Sequence, residues 1–337
     1  MLKGSLHAFV IESRALRDNA LGDPCQREVY VYLPPGFQGG PANQGPPLVL
    51  VLAGFTGVGG GQLRGTPWEP SFPQRYEALL AAGHAEPCAF AFPDAFTRYG
   101  GSQYMNSPAT GRYEDYLLEE LLPAVEQRFG VGGRRARRGV MGKSSGGYGA
   151  LCLGRDRPDV FGSLGVHAGD ACFEYCYLPD LPKAAAALLG SDPAAWLDAL
   201  KRRARETKLG GADHPVLNVL AMAAHYSPRA SAPLGLELPF EPETARLRPE
   251  IWERWLSHDP VRFVPRAGDA YRRLGGVYLD CGTRDEFHLR WGTRMVAEAL
   301  RAHGVPLQHD EFEDGHMGTS YRFEASLRWI APQLAPR

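Results

Sequence analysis

The chain has 337 residues, with 37 Lys and Arg against 38 Asp and Glu and a formal net charge of −1. Hydrophobic residues are 44% and charged residues 22% of the total, which excludes a disordered or fibrous chain and leaves enough apolar side chain for a full core. The charge balance also lacks the basic excess on which nucleic-acid and anionic-membrane binding depend, and it favours a neutral over a polyanionic substrate. The densest basic run, Arg134-Arg135-Ala136-Arg137-Arg138, reads as a solvated turn between a helix and a strand. No apolar run reaches the roughly 20 residues of a membrane helix. The leading segment carries Glu12, Arg14 and Arg17 and has no signal-peptide pattern, so a cytoplasmic location is expected. Six scattered cysteines in mostly apolar contexts suit reduced core thiols, although Cys172 and Cys176, spaced C-x3-C, leave a bridge or half a metal site open.

In chain order, residues 7–13 and 27–33 alternate polar and apolar side chains around a turn-rich stretch and predict an antiparallel opening hairpin. Residues 47–52 (PLVLVL) read as a buried central strand, followed by a glycine-rich loop at 53–61. A strand at 87–93 comes next, then an amphipathic helix at 113–129 that stops at Gly130. Strands at 138–142 and 161–167 flank a helix that starts at Ser145. The interval 170–274 has no strand-like run. Its helical candidates are 181–189, 192–207 with Asp192 as N-cap and Pro193 in the first turn, 213–225 and 249–257. Two more strands at 275–281 and 306–312, a helix between them over 288–303 and a final helix at 319–334 complete the chain. This alternation predicts an α/β fold: a mostly parallel central sheet with an antiparallel N-terminal hairpin, helices on both faces and a helical insertion after the sixth strand. Residues 1–169 and 275–337 form the expected core, and 170–274 an insertion or lid.

The strongest chemical signal is Gly142-Lys143-Ser144-Ser145-Gly146-Gly147. G-x-S-x-G arises often by chance in a chain with 40 glycines, so its placement between an apolar strand and a helix is what gives it weight. At such a turn the strand and helix backbones approach closely, which calls for residues without Cβ atoms at 142 and 146. Ser144 is then the candidate nucleophile. Lys143, one residue away, projects in a different direction and is a poor partner base. A phosphate-binding loop is excluded because Arg137 stands where its first glycine is required.

A serine needs a base, and the base needs an orienting acid. The turn after strand 275–281 carries Asp285, with Glu286 as the rival acid, and the turn after strand 306–312 carries His316. Ser144, Asp285 and His316 therefore fall on loops at the carboxyl ends of core strands, in the chain order Ser, Asp, His. His167, at another strand end, is the one competing histidine and is expected to be a packing residue. A metal site built from Asp280, Asp285, His288, His309 and His316 lacks any tight ligand spacing, so no metal or cofactor is expected. The backbone N–H groups of Phe55, in the loop after strand 47–52, and of Ser145 are the expected oxyanion donors. Tyr148, Asp170 and Phe173 are the candidates for substrate contact, while the insertion's aromatic residues are read chiefly as core.

Taken together, Val29-Tyr-Val-Tyr-Leu-Pro-Pro-Gly36, Ala53-Gly-Phe-Thr-Gly57, Glu119-Glu-Leu-Leu-Pro123, Gly142-Lys-Ser-Ser-Gly-Gly-Tyr-Gly-Ala150, Gly282-Thr-Arg-Asp285 and Gly315-His316 resemble the esterase D-like branch of the α/β-hydrolases. That branch includes S-formylglutathione hydrolases, feruloyl and enterochelin esterases and mycolyl transferases. The resemblance implies a serine carboxylic-ester hydrolase acting on a small-molecule ester through Ser144, His316 and Asp285, with Phe55 and Ser145 as oxyanion donors. The alternatives are an acyltransferase of the mycolyl transferase type and a binding protein with a relic triad. Lys143, where many members carry His, and the long insertion depart from the compact members and bear on the substrate.

Overall fold

The computed structural model describes residues 2–40, 45–208 and 210–334. Its main sheet contains β1 (Ser5–Glu12), β2 (Gln26–Leu33), β3 (Leu48–Leu52), β4 (Ala89–Pro93), β5 (Arg138–Lys143), β6 (Ser163–His167), β7 (Gly276–Gly282) and β8 (Leu307–Phe312). The spatial order is β1-β2-β4-β3-β5-β6-β7-β8. β1 pairs antiparallel with β2 from Ser5↔Leu33 to Glu12↔Gln26, and β2 pairs antiparallel with β4. From β4 onward every pairing is parallel. β1 and β2 are joined by residues 13–25 without a helix, whereas each strand after β3 is reached through a helical crossover.

Alternation sorts the side chains between two layers. Along β3, Leu48, Leu50 and Leu52 enter the larger core, and Val49 and Val51 point into the smaller one. The smaller layer is closed by α1 (Phe72–Ala81) through Phe72, Tyr76 and Leu79, and by the last helix, Phe323–Leu334. The start of α1 is marked by its own residues: Ser71 and Gln74 form a capping box around Pro73. On the other face lies α2, residues 113–129, whose middle, Tyr116–Leu121, is a π turn. Leu122 N–H reaches Leu117 O five residues back, and Pro123 has no N–H with which to continue the α pattern.

Residues 170–274 contain a short turn, α4 (Phe173–Cys176), then α5 (Leu181–Leu188), α6 (Pro193–Glu206), α7 (Asp213–Tyr226) and α8 (Pro249–Ser257). Asp192 caps α6 as expected, accepting from Ala194 and Ala195 N–H. Apolar residues of α5, α7 and α8 join the same cluster as the sheet's larger face, so this segment shares the core. Asp259, fully buried, accepts from the N–H groups of Cys172 (2.9 Å) and Phe173 (2.7 Å) and pins α4 in place.

One expectation is corrected here. Arg134–Arg138 is not a freely solvated turn: Arg138 forms a two-pronged pair with Glu126 at 2.6 and 2.7 Å, Arg135 donates to Pro158 O, and Arg137 donates to Gly45 O. The guanidinium groups tie the start of β5 to its neighbours, a use of Arg that composition does not reveal. All six cysteines are unbridged, Cys172 and Cys176 included.

Beneath β6 and β7, His167 Nδ1 lies 2.8 Å from Asp280 Oδ1, His167 Nε2 lies 2.9 Å from Ser326 Oγ, and Arg322 Nε donates to Asp280 Oδ2 at 2.8 Å. Burial alone would raise the Asp280 carboxyl, but the charges and hydrogen bonds of His167 and Arg322 outweigh it and hold it below the ordinary carboxylate range. Because the native value is depressed, this stabilisation is complete above about pH 5 and fades as the pH falls through the native value. Asp280→Ala is expected to cost about 3 kcal/mol at neutral pH by leaving buried donors unpaired. Guanidinium unfolding of both proteins should show the gap narrowing at about pH 3; a gap of constant size would overturn the role assigned to the carboxylate.

Candidate active site

β5 ends at Lys143 and α3 (Ser145–Asp156) begins two residues later, so Ser144 alone makes the turn. Its φ of 56° and ψ of −126° are unfavourable for any residue with a Cβ, at a cost of about 1–3 kcal/mol. The surrounding contacts explain why the strain persists. A Cβ on Gly142 would stand 2.5 Å from the carbonyl of Gly146, and one on Gly146 would overlap Leu52 O at the end of β3. Ser144 N–H donates to His167 O at 2.9 Å, which fastens the turn to β6. The hydroxyl is thereby held at the amino end of a twelve-residue helix, where free N–H groups and the helix dipole favour negative charge.

Asp285 follows β7 and sits in front of α9 (Leu289–Ala302). Its Oδ1 accepts from Phe287 N–H (3.0 Å) and Leu289 N–H (3.2 Å), and its Oδ2 lies 2.8 Å from His316 Nδ1. Burial pushes this carboxyl up, but the hydrogen bond and charge of His316 and the two N–H groups prevail and keep it below its ordinary value. A carboxylate at Oδ2 takes the proton of Nδ1 in hydrogen bonding, which leaves His316 Nε2 free to accept one. Glu286, the rival acid, has a different place: its Oε2 accepts the backbone N–H of His316 at 2.6 Å. One turn thus holds both the ring and the main chain of the same histidine.

Ser144 Oγ, His316 and Asp170 line one cavity of about 380 Å³. Among the described residues, the partner of Ser144 Oγ is Asp170 Oδ1 at 3.3 Å, and no hydrogen bond joins Ser144 to His316. Asp170 is only 5% exposed. Its Oδ2 accepts from Tyr177 OH (2.8 Å), Ser145 Oγ (3.1 Å) and Gln103 Nε2 (3.3 Å). Burial raises the Asp170 carboxyl above its ordinary value, opposed by Tyr177, Gln103, the charge of His316 and Ser145.

The loop after β3 brings Gly54, Phe55, Thr56 and Gly57 to the cavity. Thr56 N–H donates to Gly100 O and Gly57 N–H to Gly54 O, whereas the N–H groups of Phe55 and Ser145 have no acceptor among the described residues. Tyr104, buried rather than bordering the cavity, holds this loop from behind through a 2.7 Å hydrogen bond to Ala53 O. Tyr148 and Phe173 are likewise fully buried and stand behind the cavity wall: Tyr148 OH donates to His258 O, and the two rings pack on Tyr226. Of the three residues read as substrate contacts, only Asp170 faces the space. His167 is occupied by Asp280 and Ser326 and does not reach Ser144 through its side chain.

Several lining residues were not singled out from the sequence. Phe287 packs edge-on to His316 (4.9 Å between ring centres) and lies two residues beyond Asp285, so its position was open to inference. His214 and Asn218 of α7 and Tyr177 come from the 170–274 segment, whose docking no local pattern announces. Lys143 also faces the cavity; burial lowers its ammonium, while Asp285, Glu286, Asp280 and Asp314 raise it. Among the described residues no group of three or more His, Cys, Asp or Glu side chains is arranged to hold a metal ion, and no helix is long and apolar enough to cross a membrane.

The sheet order, the strained serine turn between β5 and α3 and the acid and histidine after β7 and β8 define an α/β-hydrolase. Residues 20–332 match the protein family described as "Putative esterase", and the chain belongs to that family, a carboxylic-ester hydrolase of the serine class. Among solved structures it is similar to a ferulic acid esterase at 18% identity, with 99% of this chain and 100% of the other covered and a TM-score of 0.61. An S-formylglutathione hydrolase from Agrobacterium tumefaciens is similar at 18% identity, with 99% and 97% covered and a TM-score of 0.59. The fluorophosphonate-binding serine hydrolase F of Staphylococcus aureus matches at 16% identity, 99% of both chains and a TM-score of 0.57.

The strain at Ser144 is directly testable. Ser144→Gly and Ser144→Ala both remove the hydroxyl, but only glycine relieves the positive φ. Ser144→Gly is expected to be more stable than Ser144→Ala by about 1 kcal/mol in urea unfolding; equal stabilities would mean that the turn is unstrained.

Proposed function

We propose that the enzyme hydrolyses small, neutral carboxylic esters through an acyl-enzyme, with Ser144 as nucleophile, His316 as general base and acid, and Asp285 as the orienting carboxylate. The observation that carries this reading is the 2.8 Å contact between His316 Nδ1 and Asp285, which leaves Nε2 unengaged by the acid in a residue that lines the same cavity as Ser144. Rotation of the Ser144 side chain away from Asp170 would bring its hydroxyl to Nε2. As Oγ bonds to the ester carbonyl carbon, its proton passes to Nε2, and Asp285 stabilises the resulting imidazolium. The N–H groups of Phe55 and Ser145, free of other acceptors, would bind the oxyanion. The carbon–oxygen bond to the alcohol then breaks, and the leaving oxygen takes the proton from Nε2. Water repeats the sequence in reverse, giving its proton to His316 and releasing the acid and a neutral Ser144.

In this reading residues 1–169 and 275–337 are the catalytic core, and 170–274 is an insertion that supplies one wall of the substrate site through Tyr177, His214 and Asn218. Burial keeps the imidazole of His214 below its ordinary range, so at neutral pH this wall presents no added positive charge from that ring. Phe55, Phe287, Leu289 and Phe323 give the rest of the lining, which also holds Lys143, Gln62 and Ser320, a large apolar share that suits a neutral ester.

A fluorophosphonate probe should label the wild type and fail to label Ser144→Ala, and hydrolysis of short-chain p-nitrophenyl esters should fall at least about a thousandfold in that variant. Labelling that survives the substitution would remove Ser144 from the role. Asp285→Asn, which preserves shape but no longer favours the Nε2-accepting tautomer, is expected to lower kcat by about three to four orders of magnitude. Glu286→Gln keeps an oxygen for His316 N–H and should lose far less; a reversed order of severity would exchange the roles of the two acids.

A further inference from the structure

Asp170 is a buried carboxylate that the proposed reaction does not use, and its two oxygens are unequally satisfied. Oδ2 has three donors, from Tyr177, Ser145 and Gln103, whereas Oδ1 has the single 3.3 Å contact with Ser144 Oγ. A serine hydroxyl has one proton to donate. When Ser144 turns to His316 with an ester filling the cavity, Oδ1 loses its protein donor and the bound ester displaces the water that could replace it. A buried acceptor stripped of its donor is penalised, and the more so when it is charged. An ester that brings its own donor to Oδ1 repairs that loss, and one that does not leaves it exposed to the full penalty.

The position of that donor follows from the other constraints. In the tetrahedral intermediate the leaving oxygen must face His316 Nε2, and the oxyanion must face Phe55 and Ser145 N–H. The acyl substituent is the arm that remains for Asp170. Because Oδ1 is 3.3 Å from Oγ, a group donating to it stands close to the carbonyl carbon, on the first or second carbon of the acyl chain.

We infer that Asp170 is a specificity-determining residue which selects acyl groups carrying a hydrogen-bond donor, a hydroxyl in the neutral case, at the α or β carbon. This rests on the acyl-enzyme reading and narrows its substrate class to hydroxyacyl esters. Tyr177 and Gln103 act through the carboxylate: Tyr226 OH accepts from the same Gln103 amide at 2.8 Å, so three elements hold Asp170 with Oδ1 turned to the cavity.

The test compares kcat/KM for ethyl butyrate with that for ethyl 2-hydroxybutyrate and both enantiomers of ethyl 3-hydroxybutyrate, followed by acid release. The wild type should favour at least one hydroxy ester by about ten- to a hundredfold. In Asp170→Leu, close in size and without an acceptor, the ratio should collapse toward one whatever the absolute rates. Asp170→Asn, which retains one acceptor oxygen, should give an intermediate ratio and serves if the leucine variant does not fold. Ethyl 3-aminobutyrate separates a charged donor from a neutral one: a preference for it over both hydroxy esters would overturn the hydroxyacyl assignment in favour of a cation. Equal rates on butyrate and all hydroxy esters in the wild type, or a ratio unchanged in both variants, would overturn the role of Asp170 while leaving the serine esterase intact. Absence of both turnover and fluorophosphonate labelling would instead defeat the underlying reading.

Discussion

Crowding of three backbones at the end of the sheet is the constraint from which the site follows. β3, β5 and the first turn of α3 meet so closely that Gly142, Gly146 and Leu52 O leave no room for a Cβ at either glycine. That contact compels Ser144 into a positive φ, projects its hydroxyl beyond the strand ends and sets the free N–H groups of α3 behind it. Packing on both faces of β3 and β5 holds the strain in place, because relaxing the turn would open the best-buried part of the molecule.

The histidine is positioned by a second economy. Asp285 and Glu286 are neighbours in one turn, yet they address different parts of His316, its ring and its main chain. Adjacent carboxylates repel each other unless each has its own donors; Asp285 draws on two N–H groups of the α9 entry as well as the imidazole, so it stays ionised despite its burial. Farther from the cavity, His167, Asp280 and Ser326 have the same residue types in a superficially similar chain of contacts. Burial separates the two sets: Ser326 is wholly buried and does not line the cavity that Ser144 lines. Residue type and hydrogen-bond order therefore do not define a catalytic set without access.

One part of the cavity lining belongs to residues 170–274. Their helices share the core of the sheet and hold Asp170, Tyr177, His214 and Asn218 against the cavity. The substrate selection proposed for Asp170 thus rests on residues 170–274, while the groups proposed for bond making lie at strand ends.

Local rules were enough for much of this. The strand at 48–52, the helix beginning with Asp192 and Pro193, the stop at Gly130 and the serine turn are each written in a few consecutive residues, because burial, capping and steric exclusion act over that range. Asp285 and Phe287 both stand within a few residues of the end of β7, so a place beside His316 is legible for each from chain position. What the sequence could not carry was any relation between distant segments: that Ser144 rests on Asp170 rather than on His316, that Tyr148 and Phe173 lie behind the wall, that the Arg134–Arg138 run is anchored, and that α7 closes the site. Those depend on how side chains far apart in the chain compete for the same donors and the same volume, and only the folded core decides that competition.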